Sequence, residues 1–459
     1  MRVSIFARRA ARSFVIAVSL LPTSALAAVT PAPIVSEFAS PTLEPLEAST
    51  NRFEEPQGAL SLETALALAL AQSPDLAVFS WNVRAVEART LQAGLRPNPQ
   101  LLVDVQDVAG TGAFRRVDET QLTVTLSRLI ELGGKRTQRL RGAALEHDLA
   151  AWDYESKRVE VFTATAQAFI EVLAQQQHQL LAEQTVGLAQ QVVNTVVARV
   201  NAGSSSRAEL VKAEVALSGA KIDQEQRDYS LVMARRRLAV NWGSAAPVFE
   251  RAVGNLAAPA VFPDLGDLQE RLEQNPDLAR WGTEVLLREA TVDLELSRAV
   301  PDVTVGAGIR ALAGPDESSF VAEFSLPLPV SNRNQGAILE ARRRSNQARA
   351  QRHATELRLR SELLIAHQAI AGTHAQINRL QKEILPGASQ AFNALRSGYR
   401  EGRFSYLEVL DAQRTLNAAR AQQIQALADY HRGVTVLERL VGESVVNDTP
   451  VTNEQGSIR

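Results

Sequence analysis

The stretch EGRFSYLEVLDAQ, residues 401–413, places two acids, Glu408 and Asp411, three positions apart at the predicted start of a helix. Residues three apart share a helix face, so the two carboxylates could act together as a site. Ser405 and Glu408 also have the S-x-x-E spacing of a capping box, in which each side chain bonds the backbone N–H of the other residue. Glu408 can therefore be a site residue or a helix cap, whereas Asp411 has no capping role.

The acid pair lies in the second copy of an internal duplication. REGRFSYLEVLDAQ, from residue 400, aligns with NAGSSSRAELVKAE, from residue 201, at a shift of 199. Ser206 and Glu209 repeat the capping-box spacing, but Lys212 stands where the second copy has Asp411. AQSPDLAVFSWNVRAVEA (71–88) is likewise echoed by EQNPDLARWGTEVLLREA (273–290) at a shift of 202. Two repeats of about 200 residues are predicted, and the helix start alone does not explain Asp411.

Other patterns that could carry chemistry are weak. Gly306-x-Gly308-x-x-Ala311 lies within an alternating strand pattern, so it lacks the strand-to-helix turn that a dinucleotide site needs. His367 and His374 share a helix face, but there is no cysteine and Met233 is the one internal methionine, so a soft metal-ligand set is missing. No nucleophile turn or HExxH spacing is present. We therefore expect no enzyme activity, no resident metal and no cofactor.

The elements that must position the acids are short strands and very long helices. Period-two alternation predicts four strands at about 100–108, 120–129, 302–311 and 319–328, each of transmembrane-strand length. No proline occurs between Pro99 and Pro247, and a helix from Lys135 to Ala202 would be roughly 100 Å long, typical of coiled-coil-like assemblies. A matching helix from Gln335 to Ser397 contains Pro386-Gly387, which should kink or relax it.

The N-terminal residues predict export. Four arginines precede the apolar run SFVIAVSLL, and Ala25-Leu26-Ala27 fits signal-peptide cleavage, so residues 1–27 are interpreted as a signal peptide. Its removal leaves 45 basic and 51 acidic side chains, a net charge near −6, which argues against nucleic acid as a partner. The mature sequence lacks an apolar run long enough for a membrane helix, so membrane entry would require a closed β-barrel. Four strands cannot close one, and the arithmetic permits a dimer or a twelve-stranded trimer.

Taken together, the mature chain resembles the TolC-like outer membrane efflux proteins over essentially its whole length. The resemblance rests on the paired S/N-P-D-L helix starts at Ser73 and Asn275, the two predicted hairpins, and the turns at Gly203 and Gly402. LSRLIELGGKR (126–136) and FSLPLPVSNRNQG (324–336) are similar to the heavy-metal efflux branch that includes CzcC.

The resemblance implies the fold class, the partners and the location. It implies an α+β membrane protein whose homotrimer forms a twelve-stranded barrel in outer membrane lipid, continued by an α-helical barrel in the periplasm. In the family this duct is the passive exit of a tripartite pump, joined by a periplasmic adaptor, or membrane fusion protein, to a proton-driven RND-type inner membrane transporter. The cargo implied by the branch is divalent heavy-metal cations.

The resemblance also assigns roles to residues of the two turns. Acids that match Glu408 and Asp411 form the constriction at the closed periplasmic end, where threefold symmetry would favour cations and raise the pKa of each acid. Tyr399 matches a tyrosine that latches this end shut. The family pattern has a base at the position of Phe404, whereas here Arg403 lies one place earlier. The turns, expected to contact the adaptor, include Gly203, Ser206, Gly402, Arg403 and Ser405.

The predicted organisation is sequential. After the signal peptide come a periplasmic segment (28–60), a first repeat (61–254) with a turn at about 201–206, a second repeat (255–441) with a turn at about 398–404, and a flexible tail (442–459). Three alternatives remain open: a multidrug or solvent efflux channel, a type I secretion channel, and a soluble periplasmic coiled-coil scaffold.

Overall fold

The computed structural model describes residues 55–442 apart from 109, 116, 118, 257–263 and 315–316. The predicted signal peptide, nearly all of segment 28–60 and the tail from 443 onward lie outside the described residues. Within the described part, no helix has the length and apolar character needed to cross a membrane.

The described part of the first repeat contains four strands and four α-helices, the last two of which are long. Their bounds are β1 Gly58–Ser61, α1 Leu62–Gln72, α2 Pro74–Ala93, β2 Gln100–Gln106, β3 Gln121–Ile130, α3 Lys135–Asn201, α4 Arg207–Val240 and β4 Phe249–Val253. Helix α2 begins as predicted: Ser73 is its N-cap, accepting the N–H of Leu76, and Pro74 occupies the first turn, where a missing N–H costs nothing.

The second repeat has a similar order of elements. Its bounds are α5 Leu265–Arg271, α6 Pro276–Arg298, β5 Val303–Leu312, β6 Glu317–Ser325, α7 Gln335–Arg379, a π-helical turn Leu380–Ile384, α8 Leu385–Arg400 and α9 Tyr406–Val441. Asn275 caps α6 and is followed by Pro276, which matches the Ser73-Pro74 start of α2. The duplication is therefore visible in the caps as well as in the sequence.

One antiparallel sheet joins the two repeats. Its strand order is β2-β3-β5-β6, with β3 and β5 paired over ten residues, from Gln121 opposite Leu312 to Ile130 opposite Val303. The strands lie within a few residues of the predicted positions. Strand β2 ends at Gln106, two residues early, where Asp107 has a φ of +59° that leaves the extended conformation. Strands β2 and β6 form the two open edges of the sheet.

Helix α3 has 67 residues, so it spans about 100 Å. It begins directly after Gly133 and Gly134, whose φ values of +71° and +74° are in the left-handed region that favours glycine. The predicted helix from Lys135 to Ala202 is confirmed to within one residue. Its exit from β3 is a turn that these two glycines allow.

The predicted interruption near Pro386 is a change of helix type. Helix α7 passes into a five-residue π-helical turn at Leu380–Ile384 before α8 resumes regular geometry. Pro386 has no N–H to bond the carbonyl of residue 382, and a π turn is a common way for a helix to absorb a local irregularity. The helix therefore relaxes without ending, and continues to Arg400.

Two features were not predicted. Strands β1 and β4 form a two-stranded parallel sheet, although segments GALS and FERAV are too short to carry a periodic signal. The largest described core cluster lies between α7 and α9, around the fully buried Tyr430, Leu363 and Leu437. A second cluster packs α3, α4, α8 and α9 together beside the turns that carry the candidate site.

Candidate functional site

The two turns between long helices have the same backbone geometry. In the first, Ser204 N donates to Arg199 O at 2.8 Å and Gly203 N to Val200 O at 3.0 Å; in the second, Arg403 N donates to Gly398 O at 2.8 Å and Gly402 N to Tyr399 O at 3.0 Å. This pair of bonds defines a Schellman motif. It requires left-handed φ at its glycine, and Gly203 and Gly402 have +73° and +79°.

The second turn starts later than predicted. Gly398, Tyr399 and Arg400 still belong to α8, and the turn covers residues 401–405 instead of about 398–404. The reason is that the Schellman motif bonds the last helical carbonyls, so the helix continues to Arg400 and Glu401 is its C-cap before the left-handed Gly402.

The capping box is confirmed in the second copy and wrong in the first. Ser405 Oγ accepts the N–H of Glu408 at 3.4 Å, and Glu408 Oε2 accepts the N–H of Ser405 at 2.8 Å. In the first copy Ser206 Oγ accepts the N–H of Glu209 at 3.2 Å, but the Glu209 carboxylate accepts a hydrogen bond from the Ser205 hydroxyl. Ser205 therefore competes with the cap N–H for the carboxylate.

The two acids, Glu408 and Asp411, have different surroundings in the structure. The backbone and side-chain hydrogen bonds from Ser405 lower the pKa of Glu408, so this exposed carboxylate is held in its charged form. Asp411 is also exposed, but its carboxylate has no hydrogen bond or ion pair with any residue that the structure describes. Asp411 is free to meet a cation or a neighbouring acid, whereas Glu408 is already bonded.

Tyr399 is a buried residue of the tip, with 4% of its surface exposed. Its ring packs 6.3 Å from the ring of Tyr406, and burial raises the pKa of its hydroxyl. The guanidinium of Arg199 lies over the Tyr399 ring at 4.5 Å from its centroid. Arg199 also donates to the Tyr399 carbonyl and, at 3.3 Å, to the Ser204 carbonyl, so it joins the first turn to the end of α8 beside the second turn.

Arg199 was not predicted: the sequence offered Arg403, one place before Phe404, as the base nearest the family's basic position. Arg403 instead forms an exposed ion pair with Glu401 inside its own turn. Phe404 lies where the family pattern has a base, and its ring packs over Gly398, where an added Cβ would lie 2.3 Å from it. The repeat relates the two residues: at the shift of 199, Arg199 aligns with Gly398, the residue next to Tyr399, so the two turns place them at matching positions.

The predicted residues thus fall into two groups. The turns bring together Gly203, Ser206, Gly402, Arg403, Ser405 and Glu408 at the ends of the long helices, while Tyr399 is buried and Asp411 is exposed on α9. A groove of about 610 Å³ runs from this end between α4 and α9, lined by Lys212, Leu407 and Arg414 among others.

Across the described residues, no three His, Asp or Glu side chains are placed to hold a metal ion.

The duplicated hairpin sheet and long helices define a fold that solved transmembrane channels share. A CusC crystal structure superposes with a TM-score of 0.72 over 83% of this chain and 92% of that chain, at 19% identity. At this identity the likeness establishes the fold.

The chain belongs to the outer membrane efflux protein family, which matches residues 65–244 and 268–443. It is 34% identical to the cobalt-zinc-cadmium resistance protein CzcC of Cupriavidus metallidurans over 388 residues, 84% of this chain and 91% of that protein. It is 25% identical to the nickel-cobalt-cadmium resistance protein NccC of Alcaligenes xylosoxydans over 66% of this chain and 69% of that protein. The two family matches correspond to the two repeats.

Proposed function

We propose that this chain is the outer membrane exit duct of a tripartite efflux pump that exports divalent heavy-metal cations. The observation that carries the proposal is its 34% identity, over nearly the whole described fold, to a cobalt-zinc-cadmium resistance protein.

In this proposal three copies assemble around one axis. Each contributes the four strands β2, β3, β5 and β6 to a twelve-stranded barrel in the outer membrane, and the long helices continue as a periplasmic duct. A periplasmic adaptor contacts the turns at Gly203 and Gly402 and links the duct to an RND-type inner membrane transporter. The exposed side chains of Phe404 and Leu407 would supply apolar contact area beside the second turn.

The cargo is tested by deleting the gene and measuring growth inhibition by zinc, cobalt and cadmium salts and by a panel of drugs and solvents. We expect lost tolerance to at least one metal and unchanged tolerance to the drugs, with full recovery from a plasmid copy. Unchanged metal tolerance together with new drug or solvent sensitivity would assign the channel to multidrug efflux instead.

Asp411 is proposed as the acid that lines the gate. Glu408 is proposed to cap α9 and, with its carboxylate exposed, to add charge at the same gate. Three copies of Asp411 around the axis would form a ring of negative charge that attracts cations and holds them at the constriction of the duct. We expect Asp411→Ala to raise single-channel conductance in planar bilayers and to weaken block by added divalent cations. Glu214→Ala removes an exposed acid at a similar depth on α4 and serves as the matched control. If Asp411→Ala behaves like that control, Asp411 does not line the narrow part of the duct.

A further inference from the structure

Three exposed arginines lie where the four-stranded sheet passes into the long helices. They are Arg96, between α2 and β2, Arg128, near the end of β3, and Arg136, in the first turn of α3. None of the three forms an ion pair with a carboxylate of the described residues, whereas many other arginines of the chain do. We call these three residues the junction arginines.

The junction arginines gather around one short connection. Arg136 Nε donates to the carbonyl of Gly94 at 2.6 Å, so the start of α3 lies against the end of α2, two residues before Arg96. At the other end of the connection, Gln100 pairs with the residue that precedes Arg128. Arg96 is four positions before Gln100, which is at most about 14 Å of extended chain. The connection therefore runs from Arg136 to Arg128 and carries Arg96 between them.

Arg128 lies on the apolar face of the sheet. Successive residues of a strand point to opposite faces, so Arg128 shares its face with Leu126 and Ile130. The strand register then places Val305 of β5 opposite Arg128, and Phe324 of β6 opposite Val305. Among the residues that the four described strands place on this face, Arg128 is the one that carries a charge. The other face is polar.

The position of Arg128 along its strand suits a lipid–water boundary. It is two residues from the end of β3, about 7 Å from the point where the strand stops. An arginine on a lipid-facing surface is costly at the middle of a bilayer and costs little near the interface. Phe324, in the same row, is 70% exposed, and aromatic side chains mark such interfaces. In the proposed duct the helices leave the sheet at this end, which places the junction arginines in the periplasmic leaflet.

The charge of the junction arginines is not neutralised within the chain. Glu131 pairs with Arg139, and Asp302 pairs with Lys135, so these two nearby acids are already engaged. Glu323 of β6 lies on the polar face of the sheet, since adjacent strand residues point to opposite faces. Arginine stays charged and presents forked N–H donors that match a phosphate. A phospholipid without a cation of its own leaves that phosphate charge uncompensated, so it is the best complement.

We propose that the junction arginines bind the phosphate of an anionic phospholipid, of the phosphatidylglycerol class, in the periplasmic leaflet of the outer membrane. The acyl chains then lie on the apolar face that carries Arg128, and the headgroup lies between the end of β3 and the start of α3. Such a contact fixes the depth at which the sheet gives way to the helices. The proposal rests on the membrane duct proposed above and specifies which lipid its periplasmic end recognises.

The proposal is tested by lipid binding to the full chain in a neutral detergent. Native mass spectrometry follows titration with phosphatidylglycerol and, separately, with phosphatidylcholine of the same acyl chains. We expect clear preference for phosphatidylglycerol. Arg128→Gln should weaken its binding roughly fivefold and Arg96→Gln/Arg128→Gln/Arg136→Gln roughly a hundredfold, the scale on which basic residues near a membrane surface contribute to anionic lipid binding. Binding of phosphatidylcholine should not change.

Two further triple variants control for charge and for folding. Arg207→Gln/Arg236→Gln/Arg251→Gln removes three exposed arginines of α4 and β4, outside the junction, and should bind phosphatidylglycerol as the wild type does. Replacing the three junction arginines by lysine keeps the charge without the forked donors, and should recover part of the lost affinity. Thermal unfolding midpoints without added lipid should agree between the two glutamine variants.

The outcomes that overturn the proposal are distinct. Equal affinity of the wild type for the two lipids, or equal loss in both glutamine variants, excludes the junction arginines as a headgroup site. Displacement of the lipid by inorganic phosphate at equal concentration would assign them to a free anion instead. Planar bilayers separate this proposal from the channel function. A conducting protein without lipid preference overturns the lipid site and leaves the duct standing, whereas a protein that enters no bilayer overturns both.

Discussion

Glu408 and Asp411 illustrate how neighbouring acids acquire different tasks. Glu408 satisfies the N–H of Ser405 at the start of α9, and the hydrogen bonds that do so lower its pKa. Asp411 lies one turn further along and makes no such bond with a described residue. The helix start explains Glu408 locally. A role for Asp411 requires a cation or another copy of the chain to approach its carboxylate.

Arg199 is the residue whose substitution should disturb the tip most. We expect Arg199→Gln to raise the open probability of the channel in planar bilayers, because the change removes the cation over the Tyr399 ring and the bonds to two backbone carbonyls. Arg199→Lys should restore little of the closed state. A lysine ammonium has no planar surface to stack on the ring and lacks the forked donors that bond both carbonyls. A cation–π contact of this kind contributes about 1 kcal/mol.

Arg403→Gln is the matched control, because it removes a tip arginine whose described ion pair is exposed and confined to one turn. Its effect on stability should be within about 1 kcal/mol, as for surface pairs in general. If Arg403→Gln opens the channel more than Arg199→Gln does, then Arg199 does not hold the two turns together.

At the scale of elements, the turns depend on a backbone conformation. We expect Gly402→Ala to destabilise the protein by about 1 kcal/mol, because an L side chain is strained at a φ of +79°. Gly187→Ala, in the middle of α3 with open space around it, should be neutral or stabilising. The check is the thermal unfolding midpoint in detergent. Equal midpoints for the two variants would show that the turn is not held in the left-handed conformation.

Helix α9 carries a half-buried histidine that should make stability depend on pH. Burial lowers the pKa of His431, and its Nε2 lies 3.2 Å from the carbonyl of Leu256. A folded-state pKa below the unfolded value of about 6.5 means that the stabilisation is present above that pH and is lost as the pH falls. His178 of α3, whose pKa is also lowered chiefly by burial, adds to the same effect.

We therefore expect the thermal unfolding midpoint of the wild-type protein to decrease as the pH is lowered from 8 to 5. The decrease should be smaller in His431→Gln. His353→Gln is the control, because the His353 side chain is 71% exposed. Parallel pH profiles for all three proteins would exclude His431 as a source of the acid sensitivity.

At the scale of the whole molecule, the two repeats are held together by pairs that lie far apart in sequence. Lys135 Nζ contacts Asp302 Oδ1 at 2.5 Å, with side chains only 10% and 23% exposed, and the same oxygen accepts the N–H of Leu132 at 2.9 Å. Removing one member of such a pair leaves the other charge poorly solvated.

We expect Lys135→Met to destabilise the protein by about 3 kcal/mol, and Arg141→Met by less than about 1 kcal/mol, since the Arg141 and Asp293 side chains are 52% and 44% exposed. Chemical unfolding in detergent micelles measures the difference. Adding Asp302→Asn to Lys135→Met should recover part of the loss, because it removes the stranded charge. Equal costs for the two single variants would contradict this account.

Most of the regular structure follows from local patterns. The alternation in QLTVTLSR predicts β3, the proline-free stretch predicts α3 to within one residue, and the S/N-P-D starts predict the first turns of α2 and α6. These features depend on residues within about four positions of each other, which the sequence displays directly. Strands β1 and β4 escaped prediction because four or five residues carry too little periodicity.

The sequence by itself determined the duplication, the strands and long helices, the glycine turns and the Ser405 cap, since each rests on backbone preferences and bonds that span a few residues. Only the tertiary structure decided which base lies on Tyr399 and which hydroxyl holds Glu209. Arg199 and Tyr399 are 200 positions apart. Such partners are chosen by how the repeats pack, and a single sequence does not express that packing as a local pattern.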